Sequence, residues 1–119
     1  MEKVNLLEKF GRFQDQYKPK IVGELNDHLV KVVKILGDFV WHHHANEDEL
    51  FLVVKGRMRM GLRDGDVDLE PGDIFIVPRG VEHKPTADEE CWVALIEPGT
   101  TLNTGNVVGE RTVAELERI

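Results

Sequence analysis

A single cysteine, Cys91, occurs in the 119 residues. No intrachain disulfide can form, and a thiolate zinc cage is excluded. Basic residues are also in short supply. Lys plus Arg number 15 against 22 for Asp plus Glu, a net charge of −7. Binding to nucleic acid or to an anionic membrane needs a basic face, so both classes are set aside. No stretch approaches the roughly 20 apolar residues that cross a bilayer. The N-terminal residues 1–7 lack the apolar run of a signal peptide. These absences lead to the expectation of a cytoplasmic protein.

What is present is enough apolar material for a folded core: 41% of residues are hydrophobic, too many for a disordered chain. The length suits one domain that needs no disulfide staple. Five histidines occur, and three are consecutive: His42, His43 and His44.

Val4, Leu6, Leu7, Phe10 and Phe13 recur at three- and four-residue steps, which predicts a short amphipathic helix ending before Pro19. From Lys20 the texture changes to short apolar runs. These are 20–24, 29–36, 50–54, 57–62, 74–77 and 92–96, with a further strand over 82–86. Gly and Pro turn signals separate them, which describes an all-β sandwich or barrel. Asp64-Gly65 suits a hairpin tip. The tail 114–118 reads as a terminal helical turn. The expected organisation is a single domain: a helical segment over 1–18, a barrel over 20–97 and a C-terminal extension over 98–119.

Strand geometry separates the histidines. Successive side chains point to opposite faces, so if 40–44 is extended, His42 and His44 share a face and His43 points away. An H-x-H pair on one face can close on a single metal ion. Glu49 opens the next strand, shares a face with Phe51 and Val53, and comes near the two histidines if the turn brings that strand alongside. His83 follows the Pro78-x-Gly80 turn, whose stiffness can hold a side chain in one direction. His28, beside Asp27 in a turn, and His43 are assigned no metal role.

These elements resemble the cupin family, whose first motif runs G-x5-H-x-H-x(3,4)-E-x6-G and whose second runs G-x5-P-x-G-x2-H-x3-N. Gly37, His42, His44, Glu49 and Gly56 fill the first, with the Gly37-to-His42 interval one residue short. Gly72, Pro78, Gly80 and His83 fill the second, and Ala87 stands where the family has Asn. The resemblance implies a double-stranded β-helix (jelly-roll) barrel. It also implies a metal held by His42, His44, Glu49 and His83 in octahedral geometry, with two positions open. Three neutral imidazoles and a carboxylate suit Fe, Mn, Ni, Cu or Zn.

Alternation puts Met58 and Met60 on the lumen side of their strand and Arg57 and Arg59 outside. The expected pocket lining is Phe51, Met58, Met60 and Phe75, an apolar wall around the metal suited to a small-molecule ligand. Glu47, Asp48 and Glu82 are the nearby carboxylates, and no general base is assigned. Three functions fit: a metal-dependent enzyme of oxygenase or isomerase/lyase type, a non-catalytic small-ligand binder or sensor, and a structural oligomerisation module. An apolar face of Phe39, Trp41 and His43, with the N-terminal helix, is expected to pair two chains as a homodimer.

Overall fold

The computed structural model describes residues 1–119. One short helix precedes eight strands: α1 (Leu6–Phe10), β1 (Lys20–Leu25), β2 (His28–Asp38), β3 (Glu49–Lys55), β4 (Met58–Leu62), β5 (Gly65–Leu69), β6 (Ile74–Val77), β7 (His83–Pro98) and β8 (Glu117–Arg118). The strands run in the order β5-β4-β7-β2-β1-β8, and β3 branches off β7 to pair with β6. The hydrogen-bond ladder does not close on itself. It is the all-β jelly-roll architecture that the sequence predicts.

The helix is shorter than its apolar pattern suggests. The Asn5 side chain caps it by accepting from the Glu8 amide at 3.0 Å, and Gly11 ends it. A helix this short gains little from its own hydrogen bonds, so packing holds it. Phe10 is fully buried, stacks on Trp92 at 4.9 Å and joins Phe13, Val22 and Val32 in a small second core.

The larger core lies on the inner face of the folded sheet, and period-two alternation builds it. Phe51 and Val53 point inward from β3, Met58 and Met60 from β4, and Val33 and Ile35 from β2. Arg57 and Arg59 point to solvent, as alternation requires. β2 is buried on both faces along its middle because α1 covers the side away from the core.

Several expectations are corrected. The separate strands over 82–86 and 92–96 are one 16-residue strand, β7. Its first part pairs with β4, its last part with β3, and β2 lies along most of its length. The segment 40–44 belongs to no strand; a single bridge, His42 to His83, ties it down. The tail 114–118 forms no helical turn. Its end pairs in parallel with β1, Lys20 opposite Glu117 and Ile21 opposite Arg118. Lys20 reaches Glu117 at 3.1 Å and Arg118 reaches Glu24 at 2.6 Å. Pairing to an open sheet edge thus overrides weak helix propensity.

Phe39 is buried and stacks on Tyr17 at 4.7 Å. The Arg63 guanidinium lies 3.9 Å from the centre of the Trp41 ring. The expected apolar face of Phe39, Trp41 and His43 is therefore not open.

Gly56 has φ +82°, and a Cβ there would stand 2.8 Å from the Glu90 carbonyl oxygen in β7. Gly56→Ala combines backbone strain with that overlap. Chemical denaturation is expected to show a loss of roughly 2–4 kcal/mol. A loss below about 0.5 kcal/mol, within the range of ordinary surface changes, would refute this account of the turn.

Candidate metal centre

Three pieces of backbone bring the four candidate ligands together. Glu49 is the first residue of β3 and His83 the first of β7. The H-x-H segment is fastened to the β7 end by two hydrogen bonds, from the His42 amide to the His83 carbonyl at 3.1 Å and from the His83 amide to the His42 carbonyl at 2.9 Å. The Gly80 amide donates to the His44 carbonyl at 2.8 Å, tying the Pro78–Gly80 turn to the same segment. On its other side, the His43 amide donates to Asn106 Oδ1 at 2.8 Å, and the Asn106 amide donates back to the His43 carbonyl at 3.1 Å. The segment thus alternates its side chains as a strand would, although it is not one.

His42, His44, Glu49 and His83 are all buried, and one ligand atom from each falls within 4.8 Å of the others. His42 Nδ1 donates to the Val40 carbonyl at 2.8 Å and His83 Nδ1 to the Val81 carbonyl at 2.9 Å. Each bond fixes the tautomer that leaves Nε2 with a free lone pair. Glu49 Oε1 stands 3.3 Å from His83 Nε2 and 3.4 Å from His44 Nε2. Both ring nitrogens of His44 are buried with no hydrogen-bond partner. A buried unpartnered imidazole is costly, and a cation among these lone pairs would remove the cost. The donor set, three imidazoles and one carboxylate, fits a divalent transition ion. His28 lies apart, exposed and 2.9 Å from Asp27.

A second carboxyl stands beside the cluster. Glu97 lines the same cavity as Glu49 and is 1% exposed. Burial, then the Glu49 charge, drives the Glu97 carboxyl well above its usual range, against the pull of Lys31. Burial also pushes Glu49 up, but the Glu97 carboxyl beside it and the facing imidazoles of His44 and His83 outweigh it and hold Glu49 well below its usual range.

The cavity is small, about 40 Å³ of open interior, and opens to solvent. That is room for a few waters or one small ligand. Phe51 and Met58 line it together with Val33, Ile35, Phe39, Val93 and Leu95. Met60 and Phe75 do not. Met60 is fully buried in the core, opposite Val67 and Pro85, and Phe75 packs against the core from the outer strand β6. A shared strand face gives a shared direction, not a shared depth.

Sequence reading missed Glu97, Lys31, Tyr17, Asn103 and Asn106. The inward phase Lys31-Val33-Ile35 and the phase Leu95-Glu97 were the available signal for two of them. Asn103 and Asn106 reach the site from a loop, where no periodicity applies.

Burial, then the neighbouring His83, pulls the His42 imidazole down to about 4. In the unfolded chain it titrates near 6.5. Between these values the unfolded chain takes up a proton that the folded chain refuses. Stability of the metal-free protein should therefore fall as pH drops from about 6.5 to about 4, by roughly 3 kcal/mol. His42→Phe removes the group, and its denaturation midpoint should vary less over that window. Parallel curves for parent and variant would contradict the assignment.

Comparison with known proteins agrees with this geometry. The family described as "Cupin domain" matches residues 31–101. The crystal structure of a cupin-2 domain containing protein from Shewanella frigidimarina NCIMB 400 superposes with a TM-score of 0.79 at 43% identity, covering 80% of this chain and 93% of that one. The uncharacterized protein YdbB of Bacillus subtilis (strain 168) is 31% identical over 81 residues, 67% of this chain and 72% of that protein. Acireductone dioxygenase of the same organism is 34% identical over 85 residues, 67% of this chain, which thus spans only 48% of that enzyme's length. With its motifs, its fold and its His/Glu group accounted for, the chain belongs to the cupin family.

Proposed function

We propose that this cupin holds one divalent transition ion on His42, His44, Glu49 and His83 and acts there as a metal-dependent enzyme on a small molecule. The observation that carries the reading is the four buried ligand atoms within 4.8 Å of one another, with both His44 nitrogens unpartnered. Bound there, Fe, Mn, Ni, Cu or Zn supplies Lewis-acid polarisation, and Fe(II) also supplies oxygen chemistry. The similarity to acireductone dioxygenase favours an oxygenase over an isomerase or lyase. The cavity wall is mostly apolar, and the carbonyl-anchored imidazoles of His42 and His83 keep their orientation. Ligand binding without turnover, as in a sensor, is the alternative. It uses the same site and differs only in the absence of product.

Mass spectrometry of untagged protein prepared without chelator is expected to find one ion per chain. Alanine at His42, His44, Glu49 or His83 should lower metal affinity at least about 10-fold, whereas His43→Ala and His28→Ala keep it. Gly105→Ala should behave like a ligand variant, because a Cβ there would overlap the His43 carbonyl. A folded parent that takes up no Fe, Mn, Ni, Cu or Zn would overturn the reading. Oxygen consumption by the Fe(II)-loaded protein over catechols, diketones, thiols and sugars separates enzyme from binder.

We further propose a cytoplasmic homodimer. A cytoplasmic setting is consistent with the lone, buried Cys91. For the dimer, support comes from the outer face of β3 and β6, where Leu50 pairs with Ile76 and Leu52 with Ile74. Ile74 and Ile76 are 59% and 56% exposed, an apolar patch that an isologous contact would cover. Light scattering should give twice the chain mass for the parent and the single mass for Ile74→Lys/Ile76→Lys. A monomeric parent would contradict it.

A further inference from the structure

Three imidazoles face the cluster, and the protein orients them unequally. The rings of His42 and His83 are each anchored by a hydrogen bond from Nδ1 to a carbonyl two residues back, on Val40 and Val81. The His44 ring has no such anchor: both of its nitrogens are buried and meet no partner. A ligand imidazole needs something to fix its direction, and for His44 only the backbone is left to do it.

That backbone is held from two sides. The Gly80 amide donates to the His44 carbonyl at 2.8 Å. Just before it, both hydrogen-bonding groups of the His43 backbone go to one residue, Asn106. The His43 amide donates to Asn106 Oδ1 at 2.8 Å, and the His43 carbonyl accepts from the Asn106 amide at 3.1 Å. The loop behind Asn106 is firmly tied. Thr104 is buried, with its Oγ1 2.7 Å from Thr112 Oγ1. Asn103 donates to the Arg111 carbonyl at 2.8 Å and accepts from the Val113 amide at 2.9 Å. Gly105 packs so closely that a Cβ would stand 3.2 Å from His42 Cδ2. Asn106 itself is exposed and its φ is negative. Neither core filling nor a left-handed backbone therefore calls for Asn at this position. What the position uses is the acceptor at Oδ1.

We propose that Asn106 is a positioning residue of the metal centre. Its Oδ1 and amide hold the His43 peptide, and that peptide aims the His44 imidazole. The inference rests on the metal reading above and adds to it a residue outside the ligand set. Without Oδ1 the His43 peptide gains freedom to rotate, and the rotation carries the His44 Cβ with it. Orientations of the ring other than the ligating one lower the apparent metal affinity in proportion to their population. The coupling is reciprocal: the factor by which the clamp raises metal affinity is the factor by which the metal favours the closed clamp.

The test measures Co(II) affinity by competition with a chelator and reads the visible absorption band of the bound ion. Asn106→Ala is expected to bind Co(II) at least about 3-fold more weakly, the effect of one net hydrogen bond, and to shift the band. Asn106→Asp keeps the acceptor and should return to within about 2-fold of the parent, with the parent's band. Val22→Ala, in the second core under α1, reports on general loosening and should keep both affinity and band. Asn106→Ala with the parent's affinity or the parent's band, Asn106→Asp as weak as Asn106→Ala, or an equal loss in Val22→Ala would each overturn the proposal. Hydrogen exchange of the parent gives a reading that does not depend on any variant folding. Zn(II) should slow exchange of the His43 and Asn106 amides at least about 3-fold, the same coupling seen from the other side. The Lys9 amide in α1, bonded to the Asn5 carbonyl at 3.1 Å, should be unchanged. No slowing at His43 and Asn106, or equal slowing at Lys9, overturns the proposal. A parent that binds the ion and fails these readings overturns this proposal alone. A parent that binds neither Co(II) nor Zn(II) overturns the metal reading and this one with it.

Discussion

Two backbone hydrogen bonds between His42 and His83 are the constraint on which the site depends. They join residues about 40 positions apart in a chain whose intervening strands fold away and return. The bridge sets the spacing of two imidazoles directly. It sets the third indirectly, because His44 lies two residues along a segment whose ends are already pinned. Glu49 arrives from β3, whose register to β7 is fixed by the inward burial of Phe51 and Val53. A one-residue slip of either strand would turn a ligand out of the cluster. The apolar core therefore does more than stabilise: it holds the register that brings a carboxylate and three imidazoles to one point.

The interior is divided by chemistry. Phe51, Met58, Val33 and Val93 make an apolar wall, while His42, His44, Glu49, His83, Glu97 and Lys31 place six buried polar side chains within the same fold. Burial of this kind opposes stability unless each group finds a partner. Lys31 and Glu97 satisfy each other in part, and Val40 and Val81 carbonyls serve two imidazoles. The remaining deficit, at His44 and at Glu97 Oε2, lies beside the cavity. The unpartnered His44 nitrogens thus lie where an ion would satisfy them.

Much of this was readable from residues alone. The spacing of His42, His44, Glu49 and His83 brought out a common site because motif intervals encode strand lengths and turn positions. Alternation assigned Met58 and Met60 to the inside and Arg57 and Arg59 to the outside, because period two is local. It did not place Met60 and Phe75 relative to the cavity, since depth depends on what the neighbouring strands contribute. The segment 40–44 was read as a strand for the right side-chain alternation but the wrong reason: tertiary clamps from His83, Gly80 and Asn106 impose the extended course. The tail 114–118 was read from helix propensity, which an open edge of β1 outweighed. Lys31 and Glu97 were hidden because a charged residue in an apolar phase reads as a solvated one until its partner across the sheet is known.

The proposed function requires that the four side chains share one ion. Anomalous diffraction from crystals of untagged protein, grown without chelator and recorded at the absorption edge of the metal found in solution, tests it most directly. One strong peak per chain is expected, roughly 2.0–2.3 Å from a ligand atom of each of His42, His44, Glu49 and His83. A peak at other residues, or a cluster closed by its own hydrogen bonds around no ion at all, would contradict it.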